Sequence, residues 1–464
     1  MQNKKANRLF SLALVGVIFR LAGPTMLEQL LQTLVQYIDT AMVGSLGTDA
    51  TATVGATTTV NWLVGSTVSA FGVGFLTFIA RALGSDDKAR AREVAAQSIF
   101  VVLLTGIFFT ALTLGISSYV PVWMQVEKSL QKDAALYFFI LYTPMLFRAA
   151  TTIFGTVLRA AGDTKTPMAA GIIVNVSNVL LNILFIFPTR EYMLLSHRIV
   201  IPGIGMGVIG AAIASAISYT LGGICITVAL WRQPLISPKG QSLRPRADIL
   251  LPALRVAMPN MLQRFVTSFG YVAFASMINS LGKVSIAAHT IANTVESAFY
   301  IPGYGMMTAS ATLAGNALGA RDSKRMKELS RTALVVETAL MVVSGGLLFA
   351  FAPNMMRIFS KDDRVIRLGA FVLRMVALSE PFYGMSIIME GMMQGVGETI
   401  KPLLCSISTM WVIRILGTFL CTRVWGLGLI AAWSCMITHN LVLFLLMLII
   451  FLLGRWNPLQ KTTE

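Results

Sequence analysis

An ionised side chain costs several kcal/mol in hydrocarbon, so a carboxylate inside an apolar stretch stands there for a proton, a cation or a partner charge. Glu28, Gln32, Gln36 and Asp39 interrupt the first apolar stretch of this chain. At ~100° per helical residue they fall within about 80° of one another, forming one polar stripe. In the fifth apolar stretch Asn175, Asn178 and Asn182 lie within about 60°. Asp39 offers a titratable or ion-binding carboxylate, and Asn178 and Asn182 offer neutral amide partners. Together, with Glu28 and Gln36 on the same stripe, they are expected to hold H⁺ or Na⁺. The plainer alternative for the asparagines is amide bonding between helices.

A second set lies further on. His289, Asn293 and Glu296 share one helical face, and Glu380, Tyr383, Glu390 and Gln394 follow in a later stretch. Glu380 precedes Pro381, where a helix break would free backbone groups for it to satisfy. A lone His in such a place is more often packed and hydrogen-bonded than a proton carrier. Arg148, Arg264, Arg374 and Arg414 are candidate partners for these acids. Tyr37, Phe299, Tyr300 and Phe382 would add apolar and cation–π contact for a ligand bound between these faces. Enzyme chemistry finds no footing: no HExxH, nucleophile elbow or Walker sequence occurs, and no catalytic or metal-ligating residues are assigned. Cys225, Cys405, Cys421 and Cys435 form no CxxC and read as packing residues.

These residues need a scaffold of membrane helices. Apolar residues make up 55 % of the chain and charged residues 12 %, about half the charge of a soluble domain. Twelve apolar segments reach the ~20 residues that span hydrocarbon. They run over 12–42, 52–80, 94–118, 133–158, 166–188 and 205–231, then 249–279, 285–316, 328–352, 365–393, 401–422 and 427–453. The sequence also repeats at an offset of 235. Pro24, Leu46, Gly84, Asp87, Gly162 and Pro167 recur as Pro259, Leu281, Gly319, Asp322, Gly397 and Pro402. Six crossings return the chain to its starting side, so the halves are parallel repeats. The expected fold is an all-α polytopic membrane protein of two pseudo-symmetric six-helix bundles. Residues 1–231 and 249–464 form the lobes, and the Pro- and Arg-rich segment 232–248 links them.

The net charge of +16 could suggest nucleic acid, but the basic clusters alternate with membrane spans, which argues against it. Lys and Arg concentrate at the N-terminus, in the even-numbered connections and at the C-terminus, which places both termini in the cytoplasm. The first apolar segment is too long, and too interrupted by acids, for a cleaved signal. The site is asymmetric: 235 residues on from Asp39, Asn178 and Asn182 stand Phe274, Ile413 and Gly417.

Pro24 followed by YIDTAMVGSLG at 37–47, the ALGSDDKARAREVA turn at 82–95, the LRAAGDTKTP turn at 158–167 and PNMLQRF from Pro259 occur in this order within the two repeats. Over residues 12 to 455 the chain resembles the multidrug and toxic compound extrusion (MATE) family. That resemblance implies two lobes around a V-shaped cavity and export of organic, often cationic, compounds against inward H⁺ or Na⁺. It further implies a single-chain transporter in the cell membrane with small-molecule substrates and no cofactor beyond the coupling ion. Asp39 matches the family's first-helix aspartate. Where many relatives have an aspartate four residues after the fifth-helix Asn, this chain has Asn182; a seventh-helix glutamate of some relatives is Thr267 here; and Glu390 stands where a small residue is usual. With one carboxylate left at the first-helix site, H⁺ is favoured over Na⁺. A lipid or lipid-linked oligosaccharide flippase of the wider superfamily is the alternative, and an intramembrane enzyme a distant one.

Overall fold

The computed structural model describes residues 12–124, 126–194 and 197–460. Its helices fall on the twelve apolar segments. The first repeat holds α1 (Leu12–Gly44), α2 (Thr48–Gly84), α3 (Lys88–Ile116), a short α4 (Val120–Trp123), α5 (Gln131–Tyr142), α6 (Met145–Ala160), α7 (Lys165–Ile186) and α8 (Gly207–Arg232). The second holds α9 (Ala247–Asn279), α10 (Lys283–Gly319), α11 (Ser323–Phe359), α12 (Asp363–Ala377), α13 (Glu380–Gly395), α14 (Ile400–Ser408), α15 (Leu416–Phe419) and α16 (Leu429–Leu452). The fourth and tenth segments are each broken: α5 and α6 meet at 48° ahead of Met145, and α13 restarts with Pro381 in its first turn. Proline has no N–H to give and disfavours helix at the residue before it, which fixes both breaks.

Eight helices among the described residues are long and apolar enough to cross a bilayer, nine if α5 and α6 count as one span. The passages that fall short are α9, α10 and α12 with α13. They carry Arg264, His289, Glu296, Arg374, Glu380 and Glu390, so polarity is concentrated in the second repeat.

Two features were absent from the hydropathy pattern. Between α7 and α8 the chain forms an antiparallel hairpin of β1 (Pro188–Leu194) and β2 (His197–Ile204), with Tyr192 opposite Ile199. The eleventh passage widens into π-helix at Thr409–Ile415 and again at Leu420–Val424. Such bulges tend to mark functional or strained places.

Unusual backbone conformations repeat at the same offset as the sequence. Gly47 and Gly282, Gly162 and Gly397, and even the non-glycine pair Asp86 and Arg321 all take positive φ. Asp163 closes its turn as the sequence suggests, accepting from Thr166 N at 3.0 Å and Thr166 Oγ1 at 2.7 Å. It also accepts from Gln233 Nε2 at 3.0 Å.

The chain packs as two units. One comprises residues up to Met26, Leu76–Lys88 and the chain from Leu251 on; the other comprises Leu27–Phe75 and Ala89–Leu250. Within the first, Ile18, Met306, Met389, Met392 and Met447 share one core, and Phe274, Leu373 and Trp433 share another. In that unit the ends of α2 and α10 cross at glycine. A Cβ on Gly84 would overlap the Asn316 carbonyl, and one on Gly319 would overlap the Arg81 carbonyl. Gly84 and Gly319 are repeat partners, as are Arg81 and Asn316, so the crossing maps onto itself.

In the second unit α8 presses against α6 and α7 through Gly222, beside Val174, and Gly223, beside Phe147. Small residues let membrane helices approach closely. The linker belongs to this unit. Gln97 Nε2 donates to Ser242 O at 3.3 Å and Arg244 O at 2.9 Å, and its Oε1 accepts from Arg246 N at 2.9 Å. Arg246 bridges Glu93 at 3.1 Å and Asp248 at 2.9 Å. Its hydrogen bonds hold the Asp248 carboxyl below the ordinary carboxylate range. A carboxyl so lowered contributes stability above its unfolded value and loses it as pH falls through the folded one, so this tie is intact at neutral pH. Replacing Gln97 by Leu leaves three backbone groups unpaired. Limited proteolysis between Pro234 and Arg246 should then be several-fold faster than in the parent, with cleavage elsewhere unchanged.

Candidate functional site

The polar stripe of α1 and the amides of α7 meet at Asp39. Asn182 Nδ2 donates to Asp39 Oδ1 at 2.6 Å. With the Asn178 amide turned so that nitrogen faces the carboxylate, it donates to Oδ1 at 2.8 Å and Oδ2 at 2.9 Å, while its oxygen accepts from Ser215 Oγ at 3.1 Å. In the opposite orientation Asn178 Nδ2 donates to Ser215 Oγ at 3.1 Å and its oxygen accepts from Asn182 Nδ2 at 3.2 Å. Amide orientation follows the hydrogen bonds available. An ionised Asp39 has only acceptors and requires the first; a protonated Asp39 carries one donor and is served by the second. Asn178 and Asn182 are both buried.

Glu28 goes elsewhere. It lies about 16 Å further along α1 and accepts from Arg159 Nη2 of α6 at 2.6 Å in a mostly buried ion pair. Its role in this structure is to tie α1 to α6. The Gln36 side chain is exposed, and Tyr37 is 40 % exposed.

The four arginines proposed as partners of intramembrane acids are engaged with amides, rings and backbone. Arg148 Nη2 donates to Asn61 Oδ1 at 2.7 Å, with its guanidinium 4.6 Å from the Tyr219 ring centre. Arg264 Nε donates to Asn260 Oδ1 at 2.9 Å, and Arg374 Nε donates to Phe349 O at 3.3 Å. Arg414, in the first π-helical stretch, lies 4.4 Å over Phe274 and 4.9 Å from Tyr271. Phe274 is the repeat counterpart of Asp39. Where the first repeat places a carboxylate, the second places a guanidinium on an aromatic face.

His289 fits the packed reading. Its Nδ1 accepts from Trp433 Nε1 at 3.3 Å, and its ring meets Phe274 edge-on at 5.6 Å. Asn293 is exposed, Phe299 packs against the core around Phe274, and Phe382 stacks obliquely on Phe444 at 5.3 Å. Tyr300 contacts Tyr304 at 6.1 Å and Tyr383 at 5.8 Å. Glu296 and Glu380 are both buried. Glu390, which stands where a small residue is usual, is held by amides. It accepts from Gln263 Nε2 at 3.1 Å and Gln394 Nε2 at 2.9 Å, and Gln263 also donates to Ser406 Oγ at 2.9 Å.

One buried acid escapes sequence reasoning altogether. Glu337 lies in α11 with Ala333, Leu334, Leu340 and Met341 at i±4 and i±3, so no polar stripe marks it. It is fully buried.

Comparison with known proteins agrees with this architecture. A protein-family model described as MatE matches residues 24–184 and 259–420, one window per repeat. The probable multidrug resistance protein NorM of Thermotoga maritima is 28 % identical over 447 residues, covering 96 % of this chain and 94 % of its own. The probable multidrug resistance protein YpnP of Bacillus subtilis is 26 % identical, covering 95 % of each. Among solved structures, a MOP superfamily transporter from Pyrococcus furiosus superposes with a TM-score of 0.85 at 25 % identity over 96 % of each chain.

Proposed function

The chain belongs to the MatE family, and from that premise we propose that it is a multidrug efflux transporter of the cell membrane, exporting organic compounds, cationic ones among them, in antiport with protons. The observation that carries this reading is the Asp39 cradle: one carboxylate held by the Asn182 amide and by the Asn178 amide turned with its nitrogen towards it. Protonation of Asp39 from outside removes its charge and turns the Asn178 amide, changing how α1 is held to α7. Deprotonation towards the cytoplasm restores the first arrangement. Coupling follows if the outward-open and inward-open arrangements differ in proton affinity at this carboxyl. The relatives named as multidrug resistance proteins support the class of cargo.

Proteoliposomes loaded with a fluorescent organic cation test the reading directly. An imposed proton gradient should drive uphill export, and a sodium gradient of equal size at constant pH should not. Export driven by sodium alone would overturn proton coupling.

Glu390 bears on the cargo. Gln is isosteric with Glu and keeps one acceptor for the amides of Gln263 and Gln394, so Glu390→Gln should fold normally while removing a negative charge. Affinity for cationic substrates should fall about tenfold, or ~1.4 kcal/mol, with neutral substrates unchanged, as read by fluorescence titration. Equal loss for both classes would assign Glu390 to helix packing.

A further inference from the structure

Three helices that pack on one another, α10, α11 and α13, each bring one buried acid to their shared interior: Glu296, Glu337 and Glu380. Glu337 is 0 % exposed, and neither of its carboxylate oxygens has a hydrogen-bond partner among the described residues. Glycines on both facing helices make its space. A Cβ on Gly303 of α10 would stand 2.8 Å from Glu337 Oε1, and one on Gly384 of α13 would stand 3.0 Å from the same atom.

Glu380 is 2 % exposed and its Oε2 is likewise unpartnered among the described residues. It lies along the same seam, one turn before Gly384, where a Cβ on Gly345 of α11 would meet the Glu380 Cβ at 3.4 Å. Glu296 lies seven residues before Gly303 on nearly the same face of α10. The Ser344 Oγ hydrogen bond to Phe299 O at 2.8 Å shows that this end of α10 approaches the Gly345 end of α11. The three acids therefore follow one interior seam, Glu296 and Glu380 towards one end and Glu337 one to two turns away.

We propose that Glu337 is a proton-binding residue of the second repeat, distinct from Asp39. A metal cation would need several oxygen ligands. The side chains that share the space at Gly303 with Glu337 are instead the apolar Met341 and Ile387, and no group of His, Cys, Asp and Glu able to hold a metal occurs among the described residues. A proton needs one oxygen and removes the charge that burial penalises. Along the seam the titratable groups are Glu296, Tyr300 and Tyr304 on α10 and Glu380, Tyr383 and Glu390 on α13; further off lie Lys283 and His289 on α10, Asp363, Arg364, Arg367 and Arg374 on α12, and the charged ends of α11 at 324–331 and Arg357. Arg374 is committed to Phe349 O. The use of this proton in transport rests on the proton-driven reading above, but its binding does not.

Infrared difference spectroscopy of the full-length protein in liposomes separates the two. Parent minus Glu337→Gln at neutral pH should show the carbonyl stretch of a protonated carboxylic acid, shifted in D₂O. The same band should persist in an Asp39→Asn background and on addition of sodium at constant pH. Glu337→Gln should melt no lower than the parent, because the neutral amide replaces a neutral acid. Absence of the band, its loss on adding sodium, or a lowered melting temperature would each overturn the proposal. If Asp39→Asn retains full proton-driven export while the band survives, the Asp39 reading fails and the Glu337 site stands.

Discussion

Asp39→Asn should bind substrate within about tenfold of the parent, a difference under ~1.4 kcal/mol, yet fail to move it against its gradient. Asparagine reproduces the shape and one donor of a protonated aspartate, so the Asn178 amide settles in the orientation that serves a neutral partner. The carboxyl can no longer release a proton, and the α1 to α7 contact keeps one arrangement throughout. In proteoliposomes a pH gradient should leave the fluorescent cation at the distribution seen without protein. Asn178→Leu isolates the amide's part: Asp39 keeps its bond from Asn182 at 2.6 Å but loses the group that rearranges. Export should fall while proton uptake at Asp39 remains measurable. Full gradient-driven export by Asp39→Asn would move the coupling site elsewhere, with Glu337, Glu296 and Glu390 next to test.

Gly319→Ala should lower the melting temperature by several degrees, whereas Gly346→Ala should hold or raise it. On propensity alone both changes favour a helix, by roughly 0.5–1 kcal/mol. At Gly346 nothing stands within 4 Å of the added methyl, and that preference should be visible. At Gly319 the methyl overlaps the Arg81 carbonyl, which is backbone and has no rotamer to adjust. Overpacking of this kind costs about 1–3 kcal/mol and outweighs the gain. Gly84→Ala should behave like Gly319→Ala, because its methyl meets Asn316 in the mirrored contact. Thermal unfolding in detergent followed by tryptophan fluorescence checks all three; equal shifts at Gly319 and Gly346 would mean that the crossing relaxes freely.

The twelve passages and the twofold repeat were legible because each apolar segment is long and the offset is constant. The Asp39 cradle was legible for a similar reason: Asp39, Asn178 and Asn182 interrupt strongly apolar helices at helical spacing, so their faces follow from geometry. Pairings were not. Glu28 shares the Asp39 stripe, but its partner Arg159 lies 131 residues away, and no periodicity within α1 can find it. Of the two amide neighbours of Glu390, Gln394 lies one turn on and was legible, whereas Gln263 comes from another helix and was hidden likewise. Glu337 went unnoticed because its helix carries no stripe around it; what marks it is the absence of side chains at Gly303 and Gly384 on two other helices. The hairpin at Pro188–Ile204 and the π-helical turns leave no hydropathy signal, because both are backbone arrangements that polarity does not specify.

The self-mapping glycine crossing has a historical consequence. If the two halves descend from one duplicated sequence, their ancestor was half as long and assembled as a pair of identical chains. A single glycine then occupied both sides of the contact, and one substitution would have struck it twice. After fusion the two copies became free to diverge, and residues 81 and 316 have done so, to Arg and Asn. Gly84 and Gly319 have not, because each is held by the main chain of the other half, and a main chain cannot mutate to make room.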